Sequence, residues 1–448
     1  MKNRKQERRN KIITTDREGP VILKLAGPMV FSMLGLMIFN LVDTFFVGRL
    51  GGVELAAVSF TFPVVMVLGS IAHGLNSGIT ASVSRAVGKG DLQQTAALVT
   101  RGLILALMMV AVFAGIGLGT MEMVFTWLGA DDATLPVIKA YMRIWYPGAV
   151  FFVVPAAAHA ALFGLGDTRT PSAITLVTAL LNAVLDPFLI FGIGPFPALG
   201  VSGAAVATVI ARGAGFVYLL GLPAIKKNVF TVGQHHPDPI YKDWARILQV
   251  GGPGIAIKLT ASGFSGMITR MVADFGSSAV AGFGIALRLE MLFIVPITAV
   301  VQAMPVFIGQ NLGAGEKTRM QRGVSFASRF FLVCGAVVYL FVLTVAGPAA
   351  RLINPAPDIV QVTVLYMTVA PLAYGFYAMM QMAVSLLNVL KRPMLSTGIV
   401  LAQIFAVFLP LALWGGRCFG LAGIFGALAV SWAITGFFGA WLTRAGIT

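Results

Sequence analysis

Three carboxylates fall inside long apolar stretches of the sequence: Asp43, Asp186 and Glu290. Asn40 precedes Asp43 by three positions, and Asn182 precedes Asp186 by four. These spacings place each amide on the same helix face as its carboxylate. An ionised group in an apolar helix is costly, so such residues mark proton or cation pathways. We therefore predict that the two aspartates share one depth and form a single site.

Two chemistries fit this predicted aspartate pair. Burial favours the protonated carboxyl, and a second carboxylate nearby favours it further, which suits proton uptake and release. The same oxygens at Asp43, Asn182 and Asp186 would also suit Na⁺, a hard cation that prefers oxygen ligands. Pro187 should free nearby carbonyl oxygens, and Thr208 could add a hydroxyl, although a helix Thr often bonds its own backbone. The residues leave H⁺ and Na⁺ both open.

Two further polar residues lie on one apolar stretch, His159 in "VPAAAHAALFG" and Tyr141. An imidazole titrates near neutral pH, which suits proton handling. A lone His in such a stretch is as readily an ordinary core residue, so both readings stay open. Tyr141 is a weaker candidate of the same kind.

Lysine and arginine residues also occur in apolar stretches, and some of them are candidate partners of Glu290. Arg288 lies two positions before Glu290, a spacing that does not bring two side chains together on a helix. We predict that Arg270 or Lys258 pairs with Glu290 across helices. A structural ion pair is one interpretation of this C-terminal group, and a direct role in moving an ion or substrate is the other.

Composition indicates a membrane protein. Of the residues, 58% are hydrophobic and 11% are charged, whereas soluble domains are about 25% charged. Apolar runs of about 20 residues, long enough to cross ~30 Å of hydrocarbon as helices, recur along the whole chain. The two cysteines have no disulfide or metal spacing, and we expect no cofactor. The net charge of +15 fits membrane orientation better than nucleic-acid binding.

The runs predict twelve spanning helices, with Pro28 as a kink or hinge in the first. We predict a basic tail at 1–19, a six-helix lobe at 20–222, a polar linker at 223–243 and a second six-helix lobe at 244–448. The tail and alternate loops hold 23 Lys and Arg, against about five on the other side. The positive-inside rule then places both termini in the cytoplasm.

An internal repeat supports two lobes. "AVGKGD" (86–91) matches "NLGAGE" (311–316), and nearly the same offset along the chain relates further segments. Each repeat holds an even number of spans, so the repeat is parallel. Two such lobes are expected to meet at a central cleft and to alternate access by rocking. Asp43 corresponds to Ile268, so the aspartate pair belongs to the N-terminal lobe alone.

Several motifs together resemble the MATE (multidrug and toxic compound extrusion) family. The resemblance runs from about residue 20 to residue 445. It is carried by "FNLVDTFFVGRLGGVELAAVSF" (39–60), "GLGDTRTP" (164–171), "LNAVLDP" (181–187) and "GQNLGAG" (309–315).

The resemblance implies an all-α fold of twelve helices in two lobes and export of organic cations and drugs in exchange for H⁺ or Na⁺. It places the family's functional residues at Asp43, Asn182, Asp186 and Thr208. His159 departs from the family's helix-four pattern, where Asn is common, and Tyr141 fits an earlier position. The helix-seven and helix-ten carboxylates of one branch are missing, which makes the chain more like the DinF-type branch than the NorM-type branch. In that branch helix-one bending is proposed, which would involve Pro28.

Alternatives remain at this stage. A flippase for lipids or lipid-linked saccharides would fit the basic residues Lys258, Arg270 and Arg288. A receptor would not need two similar halves, and no nucleophile, base or metal motif indicates an enzyme. We expect a monomer in the cell inner membrane, with small apolar or cationic substrates and no nucleic-acid partner.

Overall fold

The computed structural model describes residues 13–50, 52–132, 134–222 and 239–447, and within these ranges it is all α-helical, without strands. Much of the predicted tail and linker therefore lies outside the described residues. The described residues form twelve helices in chain order. They are α1 (Glu18–Gly48), α2 (Gly52–Gly88), α3 (Leu92–Trp127), α4 (Leu135–Gly148 and Val150–Gly164), α5 (Arg169–Phe191), α6 (Val201–Gly221), α7 (Ile240–Ala273), α8 (Ser277–Phe293 and Val295–Ala314), α9 (Lys317–Ile353), α10 (Pro357–Val369 and Tyr374–Val389), α11 (393–419) and α12 (421–447).

Membrane-spanning length and composition are met by ten stretches of the described residues. One of them, Pro393–Thr443, contains most of both α11 and α12, which are separated at Gly420 by a backbone φ of 61°. Glycine reaches this left-handed region without steric cost. The long helix α7 is not among the ten stretches. The prediction of an all-α membrane protein built from two six-helix repeats is confirmed.

Proline explains several interruptions within single spans. The break in α4 at Ala149 follows Pro147, and the break in α8 at Ile294 precedes Pro296. In α10 a 3₁₀ turn, Ala370–Ala373, contains Pro371. Proline cannot donate the i→i−4 hydrogen bond, so the helix changes direction or tightens nearby. A π-turn at Ala402–Phe408 interrupts α11 in a different way.

Inter-residue contacts divide the chain into two units, Phe31–Ile255 and the described part of Met1–Val30 with Ala256–Thr448. The divisions fall inside α1 and α7. The predicted lobes, 20–222 and 244–448, differ from these units in the first halves of these two helices, and they stay a prediction. The two division points are related by the same offset that relates residue 86 to residue 311. Gly27-Pro28 and Gly252-Pro253 show that offset too.

The start of α7 is fixed within the first unit by a buried acid. Asp243 is fully buried and contacts the guanidinium groups of Arg101 and Arg246, the latter at 2.7 Å. The indole Nε1 of Trp244 donates to the Arg101 carbonyl at 2.9 Å. A Cβ added to Gly74 on α2 would lie 2.4 Å from the Gly251 carbonyl oxygen, so only glycine permits this close approach.

The start of α1 is fixed within the second unit by residues at the positions equivalent to those of α7. Glu18 lies 3.7 Å from Arg319 on α9, and Arg319 also donates to the Thr15 carbonyl at 3.2 Å. Gly19 packs so closely on Phe326 that an added Cβ would lie 2.7 Å from the ring. Glu18 and Asp243 occupy equivalent positions in the two repeats, as do Gly19 and Trp244. The repeat therefore extends to the contacts that hold the first turns of α1 and α7.

Replacing Asp243 by Asn should destabilise the protein. The change removes the negative charge between two arginines and should cost about 3 kcal/mol, the lower end for buried pairs, because both arginines stay partly exposed. The melting temperature of the detergent-solubilised protein measures this loss. The control is Asp274→Asn, which breaks an exposed pair with Arg270 and should cost about 0–1 kcal/mol. Equal melting temperatures for the two variants would contradict the role of Asp243.

Candidate functional site

A buried carboxylate and amide lie together on α5. Asp186 is 0% exposed and Asn182 is 3% exposed. The Asn182 Nδ2 donates to the Asp186 Oδ1 at 3.1 Å. The pair sits one helical turn apart, as the i,i+4 spacing predicts. A carboxyl group and an amide thus share one face of a helix that is long and apolar enough to span a membrane.

This face of α5 presents several oxygens. Among the described residues, no group donates a hydrogen bond to the buried Asn182 Oδ1. Pro187 has no N–H, so it cannot bond the carbonyl of Ala183 four positions earlier. Carboxylate, amide and carbonyl oxygens can hold Na⁺, and the carboxylate alone can hold a proton. The arrangement can therefore bind a small cation away from bulk water.

The partners expected from α1 and α6 are placed only in part. Asn40 and Asp43 lie on α1, but their side chains are outside those that the structure describes. Their distance to Asp186 stays a prediction. Thr208 is half-buried on α6, which packs against α5. Within the described residues, no group of three His, Cys, Asp or Glu side chains could hold a metal ion.

The two halves of α4 carry the other N-terminal candidates. The Nε2 of His159 is buried and has no hydrogen-bond partner among the described residues. Tyr141 packs beside a buried cluster that includes Met121 and Met142. Phe152, which lies seven positions before His159, contacts α6: the Arg212 guanidinium lies 4.5 Å from the centre of its ring. The roles of His159 and Tyr141 stay predictions.

The predicted ion pair at Glu290 is wrong. The hydroxyl of Tyr366 on α10 donates to the Glu290 Oε2 at 2.7 Å, whereas Arg270 contacts Asp274 at 2.7 Å. The Tyr366 ring is 1% exposed and packs on Phe283 and Phe425. A neutral hydroxyl in place of a guanidinium satisfies the carboxyl without burying a second charge.

Sequence reasoning missed Tyr366, although a signal was present. Three of the eight tyrosines of the chain, at positions 366, 374 and 377, fall in the single helix α10. Tyrosine usually finds a hydrogen-bond partner when it is buried. That clustering could have directed attention from the cations to the phenols.

The remaining candidate residues are less buried than Asp186 and Asn182. Lys258 on α7 and Arg288 on α8 are exposed, and so is Arg270 near the end of α7. Pro28 is half-buried inside α1, two positions before the division between the units. The structure thus brings together Asn182 and Asp186, and it does not bring Arg270 to Glu290.

Comparison with known proteins gives the same family as the motifs. The MatE family model matches residues 28–188 and 253–414. The chain is 32% identical over 418 residues to a FAD transporter of Shewanella oneidensis, covering 92% of this chain and 91% of that protein. It is 25% identical over 363 residues to a probable multidrug resistance protein NorM of Thermotoga maritima, covering 80% and 77%.

Solved structures agree. The crystal structure of the Vibrio cholerae MATE transporter VcmN in the bent form has a TM-score of 0.90 and 29% identity, covering 96% of each chain. These matches span both halves of the sequence, including the α5 face described above. The chain therefore belongs to the MatE family of multi-pass membrane transporters.

Proposed function

We propose that this transporter exports organic compounds in exchange for H⁺ or Na⁺, which binds at the Asp186–Asn182 face of α5 together with Asp43. The single observation that carries this proposal is the burial of Asp186 on a membrane-spanning helix, hydrogen-bonded to Asn182. A carboxylate in that position is stable only with a cation, a proton or donors close by. Exchange of that cation for substrate would couple the two flows.

The driving force for this exchange is the ion gradient. One charge moving down a 100 mV potential releases about 2.3 kcal/mol. The basic loops and tail favour cytoplasmic termini in an inner membrane, so the ion would enter the site from the outer side. The proposed DinF-type assignment, with the coupling site in the N-terminal lobe, fits the replacement of the Asp43 equivalent by Ile268 in the second repeat.

Pro28 is proposed as the hinge of α1. Two features support it: proline weakens the helix at this point, and the contact units divide two positions later. The start of α1 is bound to α9 through Glu18 and Arg319. A bend at Pro28 would let the segment bearing Asp43 move while the first turns stay fixed.

Two substrate classes deserve testing. Several relatives carry multidrug resistance names, which favours apolar or cationic drugs such as ethidium. The FAD transporter relative favours an anionic flavin dinucleotide as the second candidate. We propose a monomer as the transporting unit, because each chain would contain both lobes.

Asp186→Asn should abolish coupled transport while the protein still folds. Asn keeps the shape of the side chain and one oxygen that can accept from Asn182, but it cannot exchange a proton or carry the charge that attracts Na⁺. Substrate flux into proteoliposomes under imposed pH or Na⁺ gradients should fall to the level of protein-free vesicles, and Asp43→Asn should behave alike. Asp358→Asn, an exposed acid in the first turn of α10, is the control.

The gradient that drives the wild-type flux identifies the ion. Gradient-driven flux that persists in Asp186→Asn, with melting temperature and reconstitution efficiency unchanged, would contradict the coupling site. Flux that neither gradient drives in the wild-type protein would contradict the exchange mechanism as a whole.

Pro28→Ala should slow transport and yet stabilise the protein. Alanine restores the hydrogen bond that proline lacks and can strengthen the helix by up to about 3 kcal/mol. Transport rates are measured in proteoliposomes and melting temperatures in detergent. The control is Pro348→Ala near the end of α9, which should leave the transport rate unchanged. A Pro28→Ala variant that transports at the wild-type rate would rule out the hinge.

A further inference from the structure

A polar face runs along the second half of α7. Lys258, Ser262, Ser265 and Thr269 are spaced at i, i+4, i+7 and i+11, which places them on one side of the helix. The other side carries Ile257, Phe264 and Met267, which pack on a buried apolar cluster of α10 and α11. The helix thus has one face in the protein core and one polar face turned away from it.

This polar face does not fit contact with lipid. Lys258 is near the middle of a 34-residue helix, which at 1.5 Å per residue is about 51 Å long. Where α7 crosses the hydrocarbon region, an ammonium turned toward lipid would need a water-filled cavity or a partner. Ser262 and Thr269 donate to the carbonyls of Lys258 and Ser265, so the ammonium is the group of this face that requires water or a partner.

The face is also uncovered by other parts of the chain that the structure describes. Lys258, Ser262 and Ser265 are all exposed. A Cβ added to Gly266, beside this face, would meet no other described residue within 4 Å. These side chains are therefore free to contact whatever surrounds this stretch of the helix.

The charge on the face is positive and uncompensated. Among the described side chains, no carboxylate lies within ion-pair distance of the Lys258 ammonium. Two acids of the same unit have other partners, Asp274 with Arg270 and Glu290 with Tyr366. The Ser262 hydroxyl donates to the Lys258 carbonyl, which leaves the ammonium as the strong donor of the face.

The corresponding segment of the first repeat, on α1, carries an acidic residue and no lysine. In the repeat alignment, Ser265 occupies the position of Asn40, and Ile268 occupies that of Asp43. The second repeat thus lacks this carboxylate, and it carries Lys258 at the position of Met33 in the first repeat. A site of this charge attracts anions and repels the organic cations that an acidic site would hold.

We propose that the polar face of α7, through Lys258, binds the anionic group of a transported substrate, so that the substrates of this protein include phosphate- or carboxylate-bearing aromatic compounds. The proposal rests on the proposed exporter function and defines its substrate class. The occupant is a dissolved solute on its way across the membrane. An anionic lipid is the competing occupant, and the experiment separates the two.

Transport assays with matched probes test the assignment. FAD carries a diphosphate, riboflavin has the same flavin ring without phosphate, and ethidium is a cation. Proteoliposomes under the gradient that drives the wild-type protein should take up FAD, and Lys258→Gln should lower that uptake about tenfold or more through loss of a charge-assisted contact. Uptake of riboflavin and ethidium should be unchanged or increased, and Lys258→Arg should retain most of the FAD uptake.

Arg270→Gln is the control, since it removes a positive charge from the same helix where Asp274 already compensates it. FAD binding to the detergent-solubilised protein, followed by flavin fluorescence, should weaken in Lys258→Gln and not in the control. The proposal is overturned if the wild type moves ethidium but not FAD, or if Lys258→Gln lowers both equally. It is also overturned if the variant alters only the flipping of fluorescent phosphatidylglycerol. In each of these cases, gradient-driven ethidium transport by the wild-type protein would still support the proposed exporter function.

Discussion

The cost of holding a carboxylate away from water inside the membrane governs this protein. Asp186 is fully buried on a spanning helix, and the loss of its hydration costs several kcal/mol unless other groups replace the water. Asn182 supplies one hydrogen bond. In the proposed exchange, a bound proton or cation would lower the remaining cost, and its release would raise that cost again. A site of this kind changes the stability of the surrounding helices whenever its occupancy changes, which is what a coupled transporter requires.

The two repeats suggest where the helices would move when the occupancy of the Asp186 site changes. The first turns of α1 and α7 are each fixed by an acid, Glu18 or Asp243, that contacts an arginine on α9 or α3. Each helix then carries a Gly-Pro pair just before the contact units divide. Under the proposed hinge, fixed ends and prolines within the helices would concentrate bending at these two positions. The two halves differ in their chemistry beyond that point, with oxygens and carboxylates in the first repeat and a lysine in the second.

Much of the fold could be predicted because its signals are local. Proline and glycine mark the starts of α8, α10 and α11 closely, and the Asn182–Asp186 bond follows from their spacing on one helix. The partner of Glu290 could not be predicted, since it depends on how α8 and α10 are rotated about their own axes. The grouping of the first half of α7 with the first unit could not be predicted either, because it depends on close contacts between helices. Glycine contacts such as Gly74 with Gly251 create it, and spacing along the chain does not reveal them.

The most direct test of the central claim is the ion released when substrate binds. Purified protein in weakly buffered detergent is titrated with ethidium and with FAD, while a pH electrode and a Na⁺-selective electrode record the solution. The account predicts that bound substrate displaces either H⁺ or Na⁺ in proportion to binding, and that this release disappears when Asp186 is changed to Asn. Substrate binding that releases neither ion, or release that is the same without the Asp186 carboxylate, would contradict it.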